Sequence, residues 1–198
     1  MVVPPGGSRR PRCPPDVRPH RAAAAEHLEQ NRAGRLLGRL DVDLDDVGRR
    51  QAAALAEAVG PVDRILSSPL ARATQTAAAW GAEVEVDERL IELDYGDLDG
   101  RPLADVPAHT WATWRADVDF VPGGGESISA LGQRVRSLCD DLADDARTGD
   151  VVVVTHVSPI KAAVAWALGV HDEIAWRMFV APASVTRIAV SERGPALH

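Results

Sequence analysis

Three stretches of the 198-residue chain bring a polar group to the end or the middle of an apolar run, and each group is suited to an anion. Ser67-Ser68-Pro69-Leu70-Ala71-Arg72 leads into an alanine-rich helix and puts a guanidinium in its first turn. Free N–H groups and the helix dipole favour an anion there, and a guanidinium adds a bidentate clamp of the kind phosphate accepts. Val151 to Thr155 is a β-branched run that stops at His156, just before Val157-Ser158-Pro159 and another helix. Glu92 stands between Leu90, Ile91 and Leu93, the setting of a carboxyl that gives and takes back a proton. Taken singly, each has a plainer reading: a solvated helix arginine, a structural histidine, an exposed loop carboxylate. Taken together they supply a cation, an imidazole and a proton carrier, a set suited to an anionic ligand and to proton transfer.

Positioning such a set falls to the elements around it. Asp45 or Asp46 caps a helix in which Val47, Gln51, Ala54, Leu55, Ala58 and Val59 recur at helical spacing until Gly60-Pro61. Arg64 to Ser67 alternates as a short strand, and Pro69 suits the first turn of a helix running to Trp80 and closed by Gly81. Val84 to Val86 is a second short strand, and residues 88–102 are irregular. Trp111 and Trp114 fall in a helical insertion near 103–118, Pro122 to Gly125 form a loop, and Ser127 or Ser129 opens a helix reaching about Ala146. Val151–Thr155 reads as a strand buried on both faces, Pro159–Leu168 as a helix and Ser184–Val190 as a last strand. Ala22–Gln30 has the composition of a short helix. The class is therefore α/β, three-layered, with a mostly parallel central sheet flanked by helices. Ligands of such sheets bind beyond the carboxyl ends of the strands, where Ser67 and His156 fall.

Composition narrows the function. The chain carries a net charge of −7. Eight arginines against three carboxylates make residues 1–39 basic, so the rest is strongly acidic, which argues against a nucleic-acid surface. Val151–Val154, like every other apolar run in the chain, is too short for a membrane span. Arg9-Arg10 has no apolar segment behind it, so export is not expected. Cys13 and Cys139 lack disulfide or zinc spacing, and the expectation is a cytoplasmic protein with no metal and no cofactor. A cysteine-dependent phosphatase needs arginine at the sixth position after its cysteine; after Cys13 that position is Pro19.

The motifs in order resemble the histidine phosphatase superfamily, the phosphoglycerate mutase-like proteins. Asn31 to Gly38, then Asp41 and Leu44 to Gln51, look like the stretch after that family's nucleophile. Ser67-Ser68-Pro69-Leu70 with Arg72-Ala73 and Gln75-Thr76-Ala77 is a specific signature. Glu92 with Gly96 and Gly100, Gly124-Gly125-Glu126-Ser127, and Val154-Thr155-His156 with Ser158-Pro159-Ile160 complete it. The resemblance implies a phosphatase of small phosphate monoesters working through a phosphohistidine. In it Arg72 corresponds to an arginine on the phosphate, Glu92 to the proton donor and His156 to the second histidine. Asn31 and the backbone of Gly38 correspond to positions lining the phosphate or substrate pocket. The implied partner is a small phosphorylated metabolite such as a phosphoglycerate, sugar phosphate or nucleoside-like monophosphate. A second copy of the chain, as a homodimer, is the other partner to expect. The alternatives are a phosphoglycerate mutase and a catalytically inactive, phosphate-ligand-binding pseudoenzyme. Residues 101–122 fall where specificity is shaped, and their shortness favours a phosphatase over a mutase.

The family's first motif is an apolar strand ending in Arg-His-Gly, with asparagine six residues after the histidine. Counting back from Asn31 reaches Ala25, with Ala24 at the arginine position. His27 and His20 do not fit the spacing, and Pro14, Pro15 and Pro19 read against a central strand. The expected organisation is thus an aberrant or disordered segment over 1–28 and a histidine phosphatase-like domain over 29–198. The Arg, Pro, Ala and Gly content of residues 1–25 is that of GC-rich coding read from a shifted frame or a misassigned start. The other account is a true pseudoenzyme. Either way, loss of the nucleophile motif should impair turnover.

Overall fold

The computed structural model describes the backbone of residues 19–24 and residues 34–198. Six strands form one sheet: β1 (Pro19–Ala24), β2 (Arg64–Ser67), β3 (Glu85–Val86), β4 (Val151–Thr155), β5 (Ser184–Ser191) and β6 (Gly194–Leu197), in the order β3-β2-β4-β1-β5-β6. β3, β2, β4 and β1 are parallel neighbours; β5 runs antiparallel to both β1 and β6. The helices are α1 (Asp46–Val59), α2 (Ala71–Ala77), α3 (Ala108–Ala116), α4 (Ile128–Thr148) and α5 (Val157–Leu168).

Side-chain alternation makes the three layers. Ile65 of β2 and Val152 and Val154 of β4 face Leu55 and Val59 of α1 and Ala73 and Ala77 of α2. Leu66 and Val151 turn the other way, onto Leu138 and Leu142 of α4. β4, with strands on both sides and helices on both faces, is buried as its continuous β-branched run requires.

Local chemistry sets the helix ends. Asp45 Oδ1 accepts from the Gly48 amide at 2.7 Å, and Ser127 Oγ accepts from that of Ala130 at 3.1 Å, each capping its helix. α2 tightens to a 3₁₀ turn over Ala78–Trp80 before Gly81 closes it in the left-handed region. α5 begins at Val157, two residues before Pro159, because a proline is tolerated in a first turn whose N–H groups have no partner inside the helix.

Two elements depart from the sequence reading. Pro19–Ala24 is a strand in the interior of the sheet, not the break that its proline predicted, and its Ala22–Ala24 are not helical. The reason is positional. Pro19 is the first residue of β1 and pairs only with β5, since the β4 ladder begins at Arg21, so its missing N–H interrupts nothing on that side. The alanines, good helix formers, take the extended form because β4 and β5 offer hydrogen-bonding edges on both sides. β6 was not foreseen; it is a hairpin return from β5 over Glu192-Arg193.

Candidate active site

The carboxyl ends of β2 and β4 meet on one edge of the sheet. Ser67 and Ser68 leave β2 fully buried, and Ser68 Oγ lies 2.7 Å from His156 Nε2, just past the end of β4. Thr155 Oγ1 donates to the Leu90 carbonyl at 2.6 Å and so ties the end of β4 to the loop carrying Glu92. Glu92 is buried, and its carboxylate accepts from the Leu93 amide at 2.7 Å and the Ser158 amide at 3.2 Å. Ser158 lies in the first turn of α5, where a carboxylate is favoured by the helix dipole. His156 and Glu92 are therefore held against the same helix start.

Arg72, from the first turn of α2, is fully buried. Its guanidinium donates to the Gly38 carbonyl at 2.8 Å and to the Leu40 carbonyl at 2.7 Å. The loop 38–40 thus wraps the arginine and faces it into the site. Gly38 is required there on two counts. Its φ is +44°, and a Cβ would come within 1.9 Å of Asp99 Oδ1 and 2.8 Å of the Tyr95 ring.

Arg72, Glu92 and Gly38 line a common cavity of about 480 Å³, together with Arg35, Tyr95 and Lys161. Val157 lines it too, while His156, fully buried, sits behind that wall against Ser68. Phe179 to Pro182 form its opposite rim. Asn31 lies outside the described residues. Lys161, the one lysine of the chain, was not singled out by sequence; its solitary place on the helix after His156 was the available signal. Burial pushes its ammonium below the ordinary lysine range, with the nearby Glu92 charge opposing. Among the described residues no cluster of three or more His, Cys, Asp or Glu is placed to hold a metal.

A second group fixes the Glu92 loop and was likewise missed. Glu126 pairs with Arg134 at 2.8 Å and with Arg39 at 3.3 Å, and both arginines donate to the Glu92 carbonyl at 3.3 Å. The Glu126 amide in turn donates to the Asp94 carbonyl at 2.8 Å. This needs bare backbone at Gly125, where a Cβ would meet that carbonyl oxygen at 2.2 Å. The glycine motif after Pro122 is a clasp for the acid-bearing loop.

A three-layer α/β sheet with an arginine, a histidine and a glutamate gathered at one strand edge is an arrangement suited to an anionic ligand. The sequence matches the histidine phosphatase superfamily (branch 1) over residues 21–198, and the chain belongs to that family. The match begins inside β1. Phosphoserine phosphatase 1 of Hydrogenobacter thermophilus is 33% identical over 177 residues, 83% of each chain. Glucosyl-3-phosphoglycerate phosphatase of Mycolicibacterium vanbaalenii is 37% identical over 157 residues, 71% of this chain and 70% of its own. The solved complex of a mycobacterial glucosyl-3-phosphoglycerate phosphatase with inorganic phosphate superimposes with a TM-score of 0.76 at 30% identity, covering 91% of this chain and 94% of its own. The chain is thus a phosphatase-family protein, similar to enzymes named for small phosphorylated substrates. Among the described residues no helix is long and apolar enough to cross a membrane.

Proposed function

We propose that this chain binds small phosphate monoesters in the Arg72–Glu92–Lys161 cavity but turns them over poorly, because the strand that should bring a nucleophile beside His156 ends in alanine. The observation that carries this reading is the register of β1 on β4: Ala24 pairs with Thr155, the residue before His156. By the family resemblance the arginine and histidine of the first motif belong at Ala24 and Ala25. An alanine methyl can neither attack phosphorus nor hold its oxygens.

The remaining groups suit binding and partial activation. Arg72, Arg35 and Lys161 put positive charge around the cavity, and a buried cation–phosphate pair in it is poorly screened. Glu92 protonates the leaving oxygen, or takes a proton from water, and His156, held by Ser68 behind the Val157 wall, supports that edge of the cavity rather than lining it. Without a covalent intermediate, water must attack directly and the advantage of a pre-positioned nucleophile is forfeited. The relatives' names favour a hydroxylated carboxylic or sugar-linked phosphate as substrate for those proteins; for this chain the phosphoryl group is what the cavity recognises. Two cysteines without disulfide spacing support a cytoplasmic setting.

Calorimetric titration with inorganic phosphate, alongside a phosphate-release screen of the same preparation, tests the reading. Saturable binding without significant release is expected. Acid-labile phosphate trapped on the unmodified chain, and lost in His27→Ala or His20→Ala, overturns it by identifying a nucleophile. The DNA upstream of codon 31 decides the origin of the segment: a frame encoding an apolar strand and Arg-His-Gly there would mark residues 1–25 as misread.

A further inference from the structure

We propose that the preferred phosphate monoester carries a flat ring with a hydrogen-bond acceptor, and that the ring is received by an aromatic chamber adjoining the phosphate cavity. The inference rests on reading the larger cavity as the phosphate site. The chamber has a volume of about 190 Å³. Leu36, Tyr95, Val157 and Lys161 line both spaces, so a molecule anchored by its phosphate reaches the chamber by crossing that common wall.

Its construction is specific. Trp111 and Trp114 stack with centroids 5.4 Å apart and planes inclined by 11°. Trp114 meets Tyr95 and Trp176 edge-on, each at 5.5 Å. Arg115 lies over the rings of Trp111 and Trp176, at 5.6 and 5.8 Å, and steadies both. Trp111 and Trp114 come from α3, Trp176 from the turn after α5 and Tyr95 from the loop after Glu92, so three separate segments converge to build the wall.

Two features point to a ligand rather than to packing alone. Buried indoles nearly always find an acceptor for their N–H, because leaving it unpaired costs about 1–3 kcal/mol. Here the Nε1 atoms of both Trp114 and Trp176 are buried without a partner, and both side chains line the same chamber. Trp114 is only 2% exposed. The second feature is size. A cavity of about 150 Å³ with apolar walls accommodates a benzene ring, and this chamber is larger. The one carboxylate on its lining, Asp172, is already engaged by both terminal nitrogens of Arg136, at 2.6 and 2.9 Å, so it does not demand a cation from the ligand. An aliphatic ester such as glycerol 3-phosphate would leave the chamber unfilled and both indole donors unsatisfied.

Equilibrium titration of the full chain with four ligands tests this: inorganic phosphate, glycerol 3-phosphate, phenyl phosphate and 4-acetylphenyl phosphate. Phenyl phosphate should bind at least about tenfold more tightly than glycerol 3-phosphate, the gain expected for burying a ring. The acetyl oxygen should add a further factor of about three to ten, the worth of one hydrogen bond. Trp176→Phe and Trp114→Phe, which keep a ring but remove a donor, should lower the acetylphenyl-to-phenyl ratio while the phenyl-to-glycerol ratio persists. Ala175→Phe, which fills the chamber, should bring the phenyl-to-glycerol ratio to about one. Equal affinity for phenyl and glycerol phosphates, with inorganic phosphate still bound, overturns the ring subsite and leaves the phosphate site standing. Failure of inorganic phosphate to bind overturns the phosphate site, and the ring subsite falls with it.

Discussion

Two strand ends lie side by side in this sheet and have opposite content. β4 delivers Thr155 and His156 to the site, locked by Thr155 to the Glu92 loop and by His156 to Ser68. β1, its parallel neighbour, reaches the same edge in register and ends on Ala24. The backbone architecture is identical in kind on both sides, while the chemistry is present on one side alone. Strand pairing is set by main-chain hydrogen bonds, which alanine supplies as well as histidine. The fold therefore tolerates alanine at these positions, and the proposal is that the reaction does not.

The largest test of that contrast is to give β1 what β4 already has. Ala24→Arg with Ala25→His and Glu26→Gly should raise phosphate release by at least about a thousandfold, since positioning a nucleophile is worth on the order of 7–11 kcal/mol in well-oriented reactions. Incubation with a labelled phosphate ester and a denaturing quench at alkaline pH should trap acid-labile phosphate on the triple variant and not on the parent. A rate that stays at the parent level would mean that β1 is not the missing half of the site.

Next in size is the side that is intact. Arg72→Leu strands the buried carbonyls of Gly38 and Leu40 and should lower stability by about 2–5 kcal/mol, read as a fall in Tm, together with loss of phosphate binding. Arg72→Lys keeps the charge but not the planar fork, and should weaken phosphate binding by about tenfold with a smaller drop in Tm. Affinity unchanged in Arg72→Lys would show that the arginine serves the loop alone.

Gly38→Ala probes the same loop from the backbone. Positive φ and the approach to Asp99 predict a loss of about 1–3 kcal/mol in denaturant unfolding. The same loop bears the Arg72 contacts, so phosphate affinity should fall with it.

The smallest expected effect is a pH dependence at Lys161. Its folded-state value lies below the ordinary lysine range, so its charge is lost at a lower pH than a surface lysine would lose it. Phosphate affinity should accordingly fall by about three- to tenfold on the alkaline side, beginning below the usual lysine titration. Lys161→Arg keeps its charge throughout and should remove that alkaline limb from the profile of Kd against pH.

Much of this molecule was legible before its coordinates. α1, β2, α4 and β4 carry strong periodic or β-branched patterns with caps beside them, and patterns of that kind survive almost any tertiary context. Arg72 and His156 were readable as candidates because each sits where an apolar run meets a helix start, and Glu92 because it stands alone among Leu90, Ile91 and Leu93. β1 was not, since three alanines and a leading proline carry no strand signal of their own. Their conformation comes from the free edges of β4 and β5, which belong to residues more than a hundred positions away.

By itself the sequence determined the layered α/β class, the candidate residues Arg72, Glu92 and His156, and alanine at the position six before Asn31. Only the tertiary structure decided that Lys161 and Arg35 share the cavity with Arg72 and Glu92, that Glu126 clasps the acid loop through Arg39 and Arg134, and that three tryptophans close around a chamber beside it. The physical reason is range. Local periodicity and capping act over a turn or two of chain, while cavities, ion-pair clasps and aromatic clusters are made by segments that meet only once the whole sheet and its helices have packed.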